Sequence, residues 1–209
     1  ILPSYITWFR KKMSIKSNVK KHIWKKLVIN LDIKDFFSNV TVEKMISRLA
    51  YLNIPTESID RIEKLCFYNW RLPQWAPTSP FLANFIFLPV DQAITNLLTR
   101  YDSDVSYSRY ADNITISSDI SQIVNAIRII EQSILPNAGF ELNKAKTNIS
   151  RAHSRQTVTW IVVNEKVSYP KKKYKLLRAK VHTFLAKWTG DAREIAGHLA
   201  FLRMLDKNK

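Results

Sequence analysis

Glycine is scarce: three occur in 209 residues, against about 7% in an average protein. Glycine serves where backbone or ligand must approach closely, so most such places here carry something else. Cysteine is scarcer still. The single Cys66 excludes an internal disulfide and a cysteine-built zinc site, and it suits a reducing cytosol. Long apolar runs are also missing. The longest, Phe81–Val90, is broken by Asn84 and Pro89 and falls short of the roughly 20 residues that a spanning helix needs, so no membrane partner is expected. No secretory pattern opens the chain, and Ile1 is not a start methionine, so an N-terminal piece is expected to be missing. Internal repeats and low-complexity tracts are absent.

Acidic residues are few: 17 Asp and Glu stand against 33 Lys and Arg, a net charge of +16. Such an excess points to a polyanion, because each phosphate neutralised releases counterions and adds affinity. The rest of the composition, 46% hydrophobic and 24% charged, is that of a soluble globular chain with a core of its own. Six Trp, eight Tyr and ten Phe add stacking surfaces for bases, though most aromatics serve a core.

The order of elements reads as α+β. Residues 10–26 are basic with little apolar periodicity, which predicts a surface segment. Lys26–Ile33 then alternates, with Leu27, Ile29, Leu31 and Ile33 on one face and Val28, Asn30 and Asp32 on the other. This predicts a half-buried strand that presents Asp32 on its exposed face. Thr41 and Thr56 are placed as N-caps of two short helices. A longer helix runs from Thr78-Ser79-Pro80 to about Arg100, with a disturbance at Pro89. Asp104–Arg109 and Ile114–Ser117 alternate as a hairpin around Tyr110-Ala-Asp-Asn113, where Asp and Asn tolerate turn conformations. A helix over Ser121–Leu135, closed by Asn137 and Gly139, is followed by strands at Thr147–Ile149 and Thr157–Val163. Two basic amphipathic helices, Lys171–Trp188 and Ala192–Leu205, end the chain. Helices on one face of an antiparallel sheet are the expected architecture.

Asp32 at a strand end and Asp112 at a hairpin tip converge if the hairpin pairs beside that strand. Two carboxylates so placed suit a pair of divalent ions about 3.5–4 Å apart for in-line phosphoryl transfer, and Mg²⁺, a hard ion, prefers such oxygen ligands. Taken singly, each reads more readily as an ordinary strand-end or turn residue.

Four segments together resemble the consecutive motifs of bacterial reverse transcriptases: Leu31-Asp-Ile-Lys-Asp-Phe-Phe37, Leu72-Pro-Gln-Trp-Ala-Pro-Thr-Ser-Pro80, Tyr107-Ser-Arg-Tyr-Ala-Asp-Asn113 and Gly139-Phe-Glu-Leu-Asn-Lys-Ala-Lys-Thr147. Asn18-Val-Lys-Lys-His22 and Val158-Thr-Trp160 are similar to segments that mark the retron branch. The resemblance implies a right-hand polymerase fold. Residues 1–25 would be partial fingers in contact with RNA, 26–40 palm, 41–77 helices of fingers and palm, 78–169 palm, and 170–209 the start of a helical thumb. It implies two Mg²⁺ ions held by Asp32 and Asp112, with the Ile33 carbonyl and Asn113 assisting. Phe37 would lie under the sugar of the incoming dNTP as a gate favouring deoxyribose, Gln74 near the nascent pair, and Lys146 near the triphosphate. Asn18, His22, Val158, Thr159 and Trp160 would read a structured non-coding RNA. Lys171, Lys172, Lys175 and Arg178 would follow the RNA–DNA hybrid. The family setting adds a bacterial cytoplasm, an effector protein as partner and a role in defence against phage.

Two departures stand out. The family's Tyr-x-Asp-Asp turn ends in Asn113, which removes one negative charge where charge holds Mg²⁺. Trp75, Trp160, Trp8 and Trp24 stand where the family pattern has glycine. A catalytically silent scaffold that binds RNA and DNA is therefore the alternative expectation, with a plain basic RNA-binding module as a third.

Overall fold

The computed structural model describes residues 2–205. In chain order the elements are α1 (Ile15–Lys20), β1 (Leu27–Asp32), α2 (Val42–Tyr51), α3 (Thr56–Cys66), α4 (Ser79–Tyr101), β2 (Ser106–Tyr110), β3 (Asn113–Ser118), α5 (Ile123–Ile129), α6 (Leu135–Asn137), β4 (Asn148–Arg151), β5 (Thr157–Val158), β6 (Ile161–Val162), α7 (Lys171–Lys187) and α8 (Ala192–Leu205). An antiparallel sheet in the order β2-β3-β1-β4 forms the centre, and β5 and β6 make a separate two-stranded ribbon. The α+β expectation holds.

β1 is central in that sheet, and its alternation is buried on both sides. Leu27, Ile29 and Leu31 join Ile114, Ile116 and Tyr107 in the main core, against α4 residues Phe87, Ile94 and Leu98 and against Ile123 and Ala126 of α5. Val28, on the opposite face, joins Val19, Val158, Ile161, Val163 and Leu205 in a second core. The expectation of a half-buried strand, with helices on one face only, is corrected by this second layer. It was hard to foresee because α1, the β5–β6 ribbon and α8 supply its apolar residues from far apart in sequence.

Residues 15–20 form a helix rather than a surface segment, and its N-cap explains why. Ser14 accepts from the Ser17 N–H while the Ser17 hydroxyl accepts from the Ser14 N–H, a reciprocal cap. Thr41 is the N-cap of α2, but α3 begins at Thr56 itself with Pro55 as the cap. α4 starts where expected and runs unbroken through Pro89. It is long and apolar enough to cross a membrane by length and composition; here it is the core helix under the sheet. The run after the hairpin contains a π-helical stretch, Ile130–Ile134, before α6. Pro136 has no N–H to give to the turn before it, which accounts for the altered bonding there.

Candidate active site

The sheet brings the acidic residues together. β1 ends at Asp32, whose partner in the β1–β3 ladder is Asn113. Just past the strand, the Ile33 N–H donates to the Asp112 carbonyl at 2.9 Å, and the Asn143 N–H donates to the Asp32 carbonyl at 2.8 Å. Backbone bonds alone thus clamp Asp32 between the hairpin tip and the segment after Gly139.

The tip is a two-residue loop, Ala111-Asp112, between paired Tyr110 and Asn113. Ala111, not Asp112 or Asn113, takes the left-handed conformation, with φ 57°. A buried network supports it. Arg109 Nη1 donates to the Ala111 carbonyl at 3.1 Å and to Asn84 Oδ1 at 2.9 Å. Its Nε and Nη2 reach the two oxygens of Asp91 at 2.8 and 2.7 Å, and the Tyr107 hydroxyl donates to Asp91 at 2.6 Å. Neither partner of this ion pair is exposed. Burial works against the Arg109 charge, but the Asp91 carboxylate beside it outweighs that and keeps the guanidinium protonated. Reasoning from sequence missed Arg109 and Asp91. Their signal was there: a charge on the same strand face as Tyr107, and an acid in the middle of an apolar helix.

Asp32, Ile33, Phe37, Gln74, Asp112 and Lys146 all line one cleft of about 500 Å³. Lys146 Nζ lies 3.2 Å from Asp32 Oδ1. The Asp112 carboxyl is pushed above its ordinary range, first by burial and then by the nearby Asp32 charge, with a hydrogen bond from Asn113 Nδ2 at 2.8 Å pulling the other way. Phe36, one residue before Phe37, is the core aromatic. Phe37 turns to the cleft and meets Trp8 edge-on at 5.9 Å. The Ser79 hydroxyl donates to the Pro73 carbonyl at 2.6 Å and so fixes the loop that carries Gln74. A larger, more open groove of about 660 Å³ lies between α2 and α4. It contains neither aspartate, and its Lys44 ammonium is spent on the Asn39 and Gly139 carbonyls at 2.6 and 2.8 Å.

Among the described residues no group of three or more His, Cys, Asp or Glu converges as a ready metal cage. Three carboxylates line the cleft, Asp32, Asp112 and Asp35; oxygen donors of this kind suit a hard ion that keeps waters and phosphate oxygens for its remaining positions. The ammonium against Asp32 shows that this spot already accommodates positive charge. Asn113 does not line the cleft; it acts on Asp112 through its side-chain N–H.

The residues expected to read RNA divide. Asn18, His22 and Val158 are buried, so direct contact with RNA is corrected to a structural role. His22 bridges the Ser117 and Ser108 hydroxyls at 2.7 Å each, and Asn18 accepts from Thr7 at 3.1 Å. Burial first, then Lys21 and Lys25, depress His22 to a pKa of about 3, so it is neutral. Thr159 is half-buried, while Trp160 and, on α7, Lys171, Lys172, Lys175 and Arg178 are exposed.

An antiparallel sheet with a two-residue hairpin presenting carboxylates beside a central strand is the palm of a polymerase. Solved structures agree on that fold: an apo telomerase from Candida tropicalis (TM-score 0.62, 9% identity, 79% of this chain and 41% of that one) and a Candida albicans telomerase in complex with a fragment of telomeric RNA (0.63, 10%, 95% and 42%). Residues 2–185 match the reverse transcriptase (RNA-dependent DNA polymerase) family. The chain belongs to that family, and to its retron type. It is 34% identical over 199 residues to the retron Ec86 reverse transcriptase of Escherichia coli, covering 95% of this chain and 62% of that protein. It is 30% identical over 213 residues to the retron Mx65 reverse transcriptase of Myxococcus xanthus, covering 92% and 49%. The chain thus spans between about half and three fifths of the length of these relatives.

Proposed function

We propose that this chain is the catalytic core of an RNA-directed DNA polymerase of the retron type, extending a primer with dNTPs on a structured non-coding RNA. The observation that carries the reading is the meeting of Asp32 and Asp112 at one cleft with Phe37, Gln74 and Lys146 on its walls. Asp32 and Asp112, with the Ile33 carbonyl, would hold two Mg²⁺ ions, which supply charge stabilisation to the attacking and leaving oxygens. The chain's own residues do the positioning. Lys146 attracts the triphosphate, the Phe37 ring packs against the sugar and leaves no room for a 2′-hydroxyl, and Gln74 contacts the nascent pair from the opposite wall. The α7 cations follow the hybrid backbone. A cytosolic setting, an effector partner and a part in phage defence belong to the same reading.

A second reading rests on Asn113. With an amide in place of a carboxylate, Asp112 has one negative charge fewer beside it, as a silent scaffold would. Primer extension on an RNA template with Mg²⁺ separates the two. The polymerase reading expects extension by the parent and none by Asp32→Ala. No extension by the parent, with clear gain on Asn113→Asp, would overturn it in favour of the scaffold.

A further inference from the structure

Five of the six tryptophans sit on left-handed backbone: Trp24, Trp70, Trp75, Trp160 and Trp188 have φ between 52° and 72°. Only a few per cent of non-glycine residues do so, and a bulky one there is an outlier. At three of the five positions the local geometry specifies glycine. Asn69 and Trp70 (φ 47° and 64°) form a two-residue turn across which Tyr68 and Arg71 exchange backbone hydrogen bonds at 3.0 and 3.1 Å. Thr159 and Trp160 (φ 43° and 67°) do the same between β5 and β6, where Val158 pairs with Ile161. Two left-handed residues in such a loop make a type I′ turn, whose second position is glycine by strong preference. Trp188 ends α7 with φ 52° and ψ 26° and returns its N–H to the Phe184 carbonyl, the left-handed helix ending that glycine usually supplies.

Packing does not offset the strain. The five indoles are 67–89% exposed, although tryptophan is among the residues that gain most from burial. Trp8 is the internal control. It is not left-handed, and its ring packs against Phe9, Phe37 and Tyr110. Of the three glycines, Gly139 and Gly190 do have positive φ, so the chain uses glycine in its ordinary role where it has it.

We infer that the working protein carries glycine at positions 24, 70, 75, 160 and 188. Tryptophan and glycine codons differ in their first base alone, and UGA is translated as tryptophan under some genetic codes and as glycine under others. One codon read as glycine in the source organism accounts for all five positions together, with Trp8 encoded separately. The scarcity of glycine and the exposed indoles then have a single cause. Position 75 matters most for function. It adjoins Gln74 on the wall of the cleft, and without the indole that wall opens to a base pair. This last consequence rests on the polymerase reading; the replacement itself does not.

The deciding experiment is peptide mass spectrometry on the protein isolated from its source organism, covering the five positions and Trp8. Glycine at the five and tryptophan at position 8 is the expected result; tryptophan at the five overturns the inference. Recombinant full-length chains provide an independent arm. The five-fold Trp→Gly variant is expected to melt roughly 5–10 °C higher than the parent, and Trp8→Gly lower. An unchanged or lower Tm in the five-fold variant also overturns the inference. Trp75→Gly is expected to raise primer extension at least tenfold over the parent. Failure of this activity arm alone, with glycine found by mass, would count against the polymerase reading and not against the replacement.

Discussion

Asn113 donates its side-chain N–H to Asp112 Oδ1 at 2.8 Å. The amide that departs from the family turn therefore stabilises the charged form of a carboxylate whose pKa burial and Asp32 push upward. In Asn113→Asp this donor is lost and a further negative charge is added beside Asp112. The metal-free variant is expected to melt several degrees below the parent, and Mg²⁺ to bind about tenfold more tightly, since a further negative charge beside Asp112 adds to the attraction for a hard ion. Thermal melts across a Mg²⁺ titration check both.

The raised Asp112 pKa sets a pH direction. Protonation of Asp112 removes a ligand, so Mg²⁺ affinity is expected to fall as pH drops through that raised value, earlier than an ordinary carboxylate would dictate. For stability the sign is the reverse: a carboxyl with raised folded pKa keeps its proton in the fold, so its penalty is absent at low pH and grows as pH rises through that value. A Mg²⁺-binding profile against pH in Asn113→Ala, where the donor is gone, is expected to shift further upward.

Arg109 and Asp91 hold the hairpin tip from beneath. Removing one member of a buried ion pair strands the other, at a cost of about 3–5 kcal/mol. Asp91→Asn and Arg109→Met are each expected to lower Tm by roughly 10 °C. The double variant should recover part of the loss. A loss in the double variant equal to the sum of the two single losses would show that the pair is not coupled.

His22 is expected to stay neutral through the physiological range. Its folded pKa of about 3 lies below the unfolded value near 6.5, so its contribution to stability is complete above the unfolded value and is lost as pH falls toward the folded one. The loss reaches about 2 kcal/mol at pH 5. An NMR titration from pH 8 to about 5 should find one histidine ring that does not shift.

Phe37→Ala is expected to leave the fold nearly intact, because the ring is only partly buried beside the core. It should lower the preference for deoxynucleotides over ribonucleotides at least tenfold, measured as the ratio of kcat/KM values. An unchanged ratio would remove Phe37 from the sugar site.

The alternation in β1, the hairpin and the proline-led start of α4 were legible because each is written in local residue types. So were Asp32, Asp112, Phe37, Gln74 and Lys146, whose motifs fix their order and which the fold brings to one cleft. What stayed hidden depends on partners distant in sequence. Val28 points to a second core built from residues 19, 158, 161, 163 and 205. His22 is buried because Ser108 and Ser117 meet it from neighbouring strands, and nothing within Asn18–His22 announces that. Asp and Asn marked the turn by local preference, but its left-handed residue is Ala111, whose carbonyl accepts from Arg109.

Metal binding tests the role of Asp32 and Asp112 most directly, because it does not depend on template, primer or turnover. Mn²⁺ can stand in for Mg²⁺ and be followed by electron paramagnetic resonance in the full chain, the Asp32→Asn variant and the Asp112→Asn variant. The expected result is Mn²⁺ bound by the parent, displaced by excess Mg²⁺, and lost in both variants while their melting temperatures stay near or above the parent's. Undiminished binding in either folded variant would contradict a metal site built on these two carboxylates.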